Sequence, residues 1–507
     1  MIKANTDSDR SRNPATGLTW QVWVWLVGAA AISLLGFIIS SRLKVGAGFP
    51  LDDAWIHQTY ARNLAYRGEW AFVPGQPSAG STAPLWSLLI AIGYYLGIDA
   101  IIWTYILGGV SLIATAACGE MLVRTFTPGW KPRLPWVGIF LVFEWHLVWA
   151  AVSGMETVSF ALTILGSLLI LTSPTMNWFV IGVLIGTSVW LRPDGVTLLG
   201  PAFLVLFTRE RISGKFLWKA GEIIVGFSLL VLPYLLFNHY LSGSWLPNTF
   251  YAKQAEYAVV LLTPFSTRLL SMVSLPMIGA GSLLIPGVIL AVWRGVKQRQ
   301  WVVLACALWW FGYTVIYALR LPLDYQHGRY LMPAMPVFFT LGIIGMVWLL
   351  RKQPQQKSRM WYVIQRAWVW AVVGVMIGFY GMGAKAFASD VAIIETEVVR
   401  AAKWVAENTA EDALVAAHDI GALGYFAKRP LIDLAGLVSP EVIPFIRDEG
   451  RLAEDLDQSK ADYLVTFPSW YPALVARSEV LYTTEGKIML EAGGENMAVY
   501  RWQAENR

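Results

Sequence analysis

The chain has 507 residues, of which 56% are hydrophobic and only 14% charged, and it carries 26 Trp; such proportions exclude an ordinary soluble globular protein and indicate a polytopic membrane protein. The net charge of +5 comes from short Lys/Arg clusters between apolar stretches, not from one basic face, which argues against a nucleic-acid surface. Cys118 and Cys306 both lie inside apolar runs, so neither a disulfide framework nor a zinc-ligand spacing is available.

In chain order, a polar tail (1–19) with Lys3, Arg10 and Arg12 precedes an apolar run from about Trp20 to Ser40, too long for a signal-peptide core and long enough to span. This predicts an uncleaved first transmembrane helix. A polar loop follows at 41–82, and then a short apolar segment at 83–97, the length of an interfacial or re-entrant piece. Further apolar runs at about 101–123, 134–152, 157–172, 177–191, 196–208, 221–241, 270–293, 301–319, 334–350 and 361–383 bring the expected spans to eleven. With a cytoplasmic N-terminus, every dense basic loop falls inside: Arg124/Lys131/Arg133, Arg209/Arg211/Lys215/Lys219, Arg294/Lys297/Arg299 and Arg351/Lys352/Lys357/Arg359. Counting 83–97 as a crossing would move them outside. The scattered glycines need no helix-dimer reading, since membrane helices tolerate them.

From about residue 384 to 507 the composition becomes that of a soluble domain, placed extracytoplasmically by eleven spans. Residues 391–410 have amphipathic helical spacing, and "ALVAA" (413–417), "PLIDLAG" (430–436) and "DYLVTF" (462–467) read as strands, which predicts an α/β layer. The expected fold is therefore a polytopic α-helical membrane domain (20–383) with a C-terminal extracytoplasmic α/β domain. In "HDIGALGY" the glycines read as turn or close-packing positions, so His418 and Asp419 are expected to be structural.

The polar segments of the outer face are 41–82, "SGMET" (153–157), "LRPDG" (191–195), "SGSWLPNTFYAKQ" (242–254) and "LRLPLDYQHGRYLMP" (319–333). Polar groups retained at a membrane mark function. In "LDDAWIHQTYARNLAYRGEW" (51–70) the apolar spacing predicts an interfacial helix ended by Gly68, with Asp53 and His57 one turn apart on one face. Asp52 and Asp53 either cap this helix or act on a substrate, one as general base. Lys253, Arg192 and Arg329 are candidate phosphate-binding cations; snorkelling to headgroups also accounts for any one of them. Glu156 in "SGMET", with His327 and Tyr330 beside Arg329, are further candidates, against which stand helix capping and interface anchoring. Glu144 and His146 form an ionisable pair inside the third expected span. No P-loop, GxGxxG after a strand, HExxH or GxSxG is present, which argues against nucleotide-driven chemistry.

"DDAWIHQTYARNLAYRGEWAFVPGQPSAGSTAPLW", followed in order by "SGMET", "LRPDG", "LPNTFYAK" and "GRYLMPAMP", resembles the GT-C superfamily of membrane glycosyltransferases. Within it the chain is similar to the mycobacterial terminal arabinofuranosyltransferase group and its bacterial relatives, and "AAHDIGALGYFAKRPLIDLAGLVSPE" (416–441) resembles their tail domain. "GSTAPLW" departs from the pattern at Ala83, where relatives often carry a larger polar residue. The resemblance implies an acidic catalytic residue in the first extracytoplasmic loop and a polyprenyl-phosphate-linked sugar as donor.

The expected activity is transfer of a pentose or hexose from that carrier to a cell-envelope glycan, glycolipid or protein acceptor, with inversion, on the outer face of a prokaryotic cytoplasmic membrane. Asp52 or Asp53 would take the acceptor proton and Lys253, Arg192 and Arg329 the phosphate charge, with His57, Glu156, Asp194, Asn248, His327 and Tyr330 binding substrate. A divalent cation such as Mg or Mn on Asp52, Asp53 and Glu156 is compatible with this scheme but not required, because fixed cations do the same electrostatic work. The rival reading is a transporter or flippase of lipid-linked or envelope precursors. Transporters usually place binding groups near the midplane on paired repeats, and no matching halves are visible here.

Overall fold

A computed structural model describes residues 18–130, 132–350 and 359–504. Lys3, Arg10 and Arg12 of the tail and the basic loop residues Lys131, Arg351, Lys352 and Lys357 lie outside the described residues. Helix α1 (Trp20–Lys44) has 25 residues, about 37 Å at 1.5 Å per residue, enough for a hydrocarbon core of about 30 Å. The first loop then forms α2 (Asp53–Arg67), the small hairpin β1 (Ala71–Val73) and β2 (Gln76–Pro77), and α3 (Pro84–Tyr95). Gly68, at φ 69°, ends α2 in the left-handed conformation that a glycine adopts without Cβ strain. Buried Asn63 donates to the carbonyls of Ala71 (2.9 Å) and Phe72 (3.0 Å), fixing the hairpin against α2. With 12 residues, α3 is too short to cross.

After α4 (Ala100–Phe126), the third expected span divides into α5 (Trp136–Phe143) and α6 (Trp145–Ala151). Glu144 causes the break: its carboxylate accepts from the Leu147 N–H (3.2 Å) and pairs with His146 Nδ1 (2.8 Å), starting a new helix from an extended residue. Next come α7 (Thr157–Ile170), α8 (Trp178–Leu191), α9 (Leu199–Glu210), α10 (Gly214–Ser242) and the short α11 (Asn248–Glu256). The expected span at 270–293 is also divided, into α12 (Phe265–Ser274) and α13 (Ile285–Gln298), around Pro276 and Gly279, the latter at φ 111°. The membrane part closes with α14 (Trp301–Arg320), the turn α15 (Tyr325–Gly328), α16 (Met335–Leu350) and α17 (Arg359–Ile393). Among the described residues seven helical stretches are long and apolar enough to cross a membrane, and α3, α7 and α8 are shorter apolar helices.

Glycines, set aside as incidental in the sequence, build the helix contacts. A Cβ on Gly182 would meet the Ile223 carbonyl oxygen at 2.2 Å, and one on Gly226 that of Phe179 at 2.2 Å, so α8 and α10 touch backbone to backbone. A Cβ on Gly345 would lie 1.8 Å from the Gly287 carbonyl oxygen, locking α16 on α13. Close approach is what holds helices together where lipid removes the hydrophobic drive. Gly345→Val is therefore expected to abolish the monodisperse folded peak in detergent size-exclusion chromatography.

Helix α17 continues through a π-turn (Ile394–Val399) into α18 (Arg400–Asn408), so the compositional boundary near 383 falls inside a helix. The C-terminal domain is a mixed five-stranded sheet of order β4-β3-β5-β7-β6. Its strands are β3 (Val415–Ala417), β4 (Leu431–Asp433), β5 (Tyr463–Thr466), β6 (Ser478–Thr483) and β7 (Ala498–Trp502), accompanied by α19 (Glu449–Ser459), α20 (Pro472–Ala476) and α21 (Lys487–Glu491). Strands β3, β4 and β5 are parallel, β7 antiparallel to β5, and β6 antiparallel to β7. The three expected strands are present; β6 and β7 complete the sheet.

Two loops of this domain dock on the membrane part. The first, 418–426, follows β3: Gly421 and Ala422 donate their N–H groups to the two Asp52 oxygens (2.6 and 2.8 Å), and Trp55 packs on Tyr425 and Phe426 at 4.8 and 4.9 Å. The second, 433–439, is shaped by buried Asp433, whose carboxylate accepts from Ala435, Leu437 and Val438. That turn delivers the Leu437 carbonyl to Asn248 Nδ2 (3.0 Å).

Candidate active site

A cavity of about 160 Å³ opens in the membrane part, with Leu437 of the second docking loop in its wall. It is lined by four cations, Arg192, Lys253, Arg320 and Arg329, against three carboxylates, Asp53, Glu156 and Asp194, together with His57, Tyr317 and Tyr330. The site favours a bound anion.

Asp53 enters from the first turn of α2, and one turn further His57 faces the same space. The Asp53 carboxylate pairs with Arg329 at 2.6 Å. Burial alone would push Asp53 up, but the Arg329 and Lys253 charges outweigh it and hold the carboxyl well below the usual carboxylate range. Arg329 is 7% exposed, spends Nη2 on Asp53 and on the Tyr330 hydroxyl (3.1 Å), and leaves Nε and Nη1 buried without a partner. A buried guanidinium with two idle donors is costly unless a ligand completes it. Lys253 stays charged: burial works against it, while Tyr330, Asp53 and Glu256 raise it well above the usual lysine value.

A second layer orients these groups. Glu156 lies 3.6 Å from His57 Nε2 and 3.6 Å from Arg192 Nη1, and its Oε2 is buried without a hydrogen bond. His57 Nδ1 meets Ser87 (3.0 Å) and Ser81 (3.3 Å), and burial pushes its pKa down against the pull of Glu156 and Asp53. Arg192 is gripped by Asp194 (3.3 Å) and donates to the Tyr317 hydroxyl (2.9 Å), which donates to Asp194. Tyr313 joins the same carboxylate.

The structure thus brings together Asp53, His57, Glu156, Arg192, Asp194, Lys253, Arg329 and Tyr330 of the sequence candidates. It does not bring Asp52. That residue sits at the N-cap position of α2 without capping it, and both its oxygens face the C-terminal domain. Burial and the neighbouring Asp419 raise its pKa well above the usual value, against the pull of the two N–H groups. Asn248 is buried one residue before cavity-lining Thr249 and spends its amide on Leu437. His327 turns away, pairing with Asp390 of α17 at 2.8 Å between the rings of Trp145 and Trp149. Among the described residues no three His, Cys, Asp or Glu side chains gather as a metal site. Asp52 is committed elsewhere and Asp53 is held by a cation, so the expected Asp52–Asp53–Glu156 set does not fit a divalent ion.

Five residues outside the sequence's site candidates stand beside these groups: Glu256, His418, Asp419, Tyr313 and Tyr317. His418, expected to be structural, places Nε2 3.4 Å from Glu256, which lies 3.8 Å from Lys253. Burial opposes its charge, yet the bond to Glu256 and the nearby Asp419 raise the His418 pKa. Asp419 is raised in turn, by burial first. No sequence spacing links positions 253–256 to 418–419; only the docked sheet does. Tyr313 and Tyr317, by contrast, stand four residues apart on an apolar helix, a signal visible in the sequence.

Asp52→Asn is expected to unseat the C-terminal domain, because an amide can accept one of the two N–H bonds but presents a donor to the other. A charge-assisted bond of this kind contributes about 1.5–3 kcal/mol. Limited proteolysis checks this: cleavage within 409–440 at the wild-type rate would refute the latch.

A family model described as a domain of unknown function, DUF8728, matches residues 389–500. Among curated proteins none matches this chain. Among solved structures, ArnT from Cupriavidus metallidurans bound to undecaprenyl phosphate is similar with TM-score 0.57 and 14% identity, over 95% of this chain and 98% of that one. The Archaeoglobus fulgidus oligosaccharyltransferase is similar with TM-score 0.57 and 12% identity, over 89% of this chain and 70% of that one; a second structure of it, named AglB, is in complex with an inhibitory peptide and a dolichol-phosphate. The mycobacterial arabinofuranosyltransferase AftD gives a TM-score of 0.46 at 13% identity, over 97% of this chain and 42% of that one. The chain shares the fold of GT-C glycosyltransferases such as ArnT.

Proposed function

We propose that the protein transfers a sugar from a polyprenyl phosphate to a cell-envelope acceptor on the outer face of the cytoplasmic membrane. The observation that carries this reading is Arg329, a buried guanidinium joined to the single carboxylate of α2 and left with two unpartnered N–H donors in a cavity of net positive charge. A lipid-linked phosphate supplies the acceptor oxygens those donors lack. The ArnT and AglB structures, whose ligands are polyprenyl-type phosphates, support the carrier class. The basic loops support the sidedness.

The chemistry follows from the charges. As the donor phosphate engages Arg329 and Lys253, it draws both cations from Asp53, whose basicity rises toward that of a buried carboxylate. Asp53 then accepts the proton of the acceptor hydroxyl as its oxygen bonds to the anomeric carbon. The bond from that carbon to the phosphate oxygen breaks, and the polyprenyl phosphate leaves with the electron pair. Arg329, Lys253 and Arg192 stabilise the charge that develops there. One direct displacement inverts the anomeric carbon. Glu156, placed between His57 and Arg192, helps orient Arg192.

The test is reconstitution in proteoliposomes with polyprenyl-phosphate sugars radiolabelled in the sugar, scored for label covalently joined to a glycan acceptor. Label that crosses the bilayer but stays on its carrier would replace this reading with transport.

A further inference from the structure

A second cavity, of about 240 Å³, lies on the seam between the first loop and the C-terminal domain, and it shares no lining residue with the site above. Its walls come from the end of α2, from 72–74 of the hairpin, and from 424–431 of the domain. Four lining residues are cations, Arg62, Arg67, Lys428 and Arg429, and none is acidic. None of the four takes part in an ion pair among the described residues.

Two of these cations are fixed and two are free to reach. Arg62 donates to the carbonyls of Gly424 (3.1 Å) and Tyr425 (2.5 Å) with its guanidinium 4.8 Å from the Tyr425 ring centre. Arg429 donates to the carbonyls of Ala406, Thr409 and Ala427 and to the Thr409 hydroxyl, at 2.8–3.2 Å. Carbonyl partners hold a guanidinium in place without cancelling its charge. Arg67 and Lys428 are exposed. Like charges lining one cavity repel, and burial together with Arg67 weakens the proton affinity of Arg62. An anion bridging the two walls relieves that repulsion, and guanidinium groups fit phosphate oxygens best.

We propose that this seam binds the phosphate of an anionic phospholipid headgroup, which clamps the C-terminal domain onto α2. The place of the cavity selects the lipid. Tyr66 lines it at 67% exposure, and Tyr95 (66%) and Leu96 (63%) are exposed at the neighbouring end of α3. Exposed aromatic rings on short non-crossing helices mark the headgroup level of a bilayer. Soluble phosphate is the other source of the same chemistry. The proposal stands independently of the transferase reading.

The full chain in nanodiscs of phosphatidylcholine with phosphatidylglycerol, delipidated stepwise and weighed by native mass spectrometry, tests it. Wild type is expected to retain phosphatidylglycerol in preference to phosphatidylcholine, and inorganic phosphate to displace it. The double variant Arg67→Gln/Lys428→Gln removes two exposed charges and is expected to hold the lipid about thirty-fold more weakly, from roughly a fivefold loss per surface cation; Lys428→Arg is expected to retain it. A phosphate-induced rise in Tm that the double variant loses, without lipid preference, would keep the site and assign it to soluble phosphate. No lipid preference and no phosphate response in wild type, or full retention by a normally eluting double variant, would overturn the proposal.

Discussion

Asp53→Asn is expected to lower sugar transfer by about 10³-fold or more, while Asp52→Asn lowers it by no more than about tenfold. General-base participation contributes about 10²–10⁴, and of the two neighbouring aspartates it is Asp53 that lines the cavity, pairs with Arg329 and stands one helical turn from His57. The Asp52 oxygens are both bound by the N–H groups of Gly421 and Ala422 and face away from that space. The two substitutions therefore separate by readout. Asp53→Asn loses kcat with an intact proteolysis pattern, whereas Asp52→Asn changes proteolysis and acts on KM through the displaced Leu437 wall. Equal losses of kcat in both would sink the assignment of the base to Asp53.

The split between neighbouring aspartates shows how far the sequence was legible. The helix from Asp53 to Arg67, its glycine stop and the shared face of Asp53 and His57 follow from local rules, and the structure has all three. Three cations expected to serve one phosphate come from three distant segments and do meet. What was not legible depends on tertiary partners. Asp52 could not be told from Asp53, because its partners lie some 370 residues away. His327 looked equivalent to its neighbour Arg329, yet positive φ angles at Gln326 and His327 (51° and 59°) swing the imidazole toward Asp390. The break at Glu144 needed the knowledge that its carboxylate serves its own backbone rather than a partner. His418 was read as structural because nothing local ties a soluble-looking tail to a membrane cavity.

Arg329→Gln is expected to lower kcat about 10²–10³-fold, the usual cost of removing a preorganised donor from developing charge, and to shift the pH profile in a direction that identifies its partner. In wild type the Arg329 and Lys253 charges hold Asp53 below the usual carboxylate range despite burial. Removing Arg329 leaves burial opposed mainly by Lys253, so the Asp53 pKa rises and the acid limb of kcat/KM, which reports the free enzyme, moves to higher pH. Stability follows the same sign. A depressed carboxyl pKa contributes stability that is present above the unfolded value and is lost as pH falls through the folded one. The Tm gap between wild type and Arg329→Gln is thus widest at neutral pH and narrows on acidification. Arg329→Lys restores the charge and the position of the acid limb but not the forked donor geometry, so its kcat recovers only in part. A purely structural arginine would lower kcat and Tm together and leave the acid limb where it was; the shift in that limb, measured on kcat/KM across acidic pH, is what ties Arg329 to Asp53.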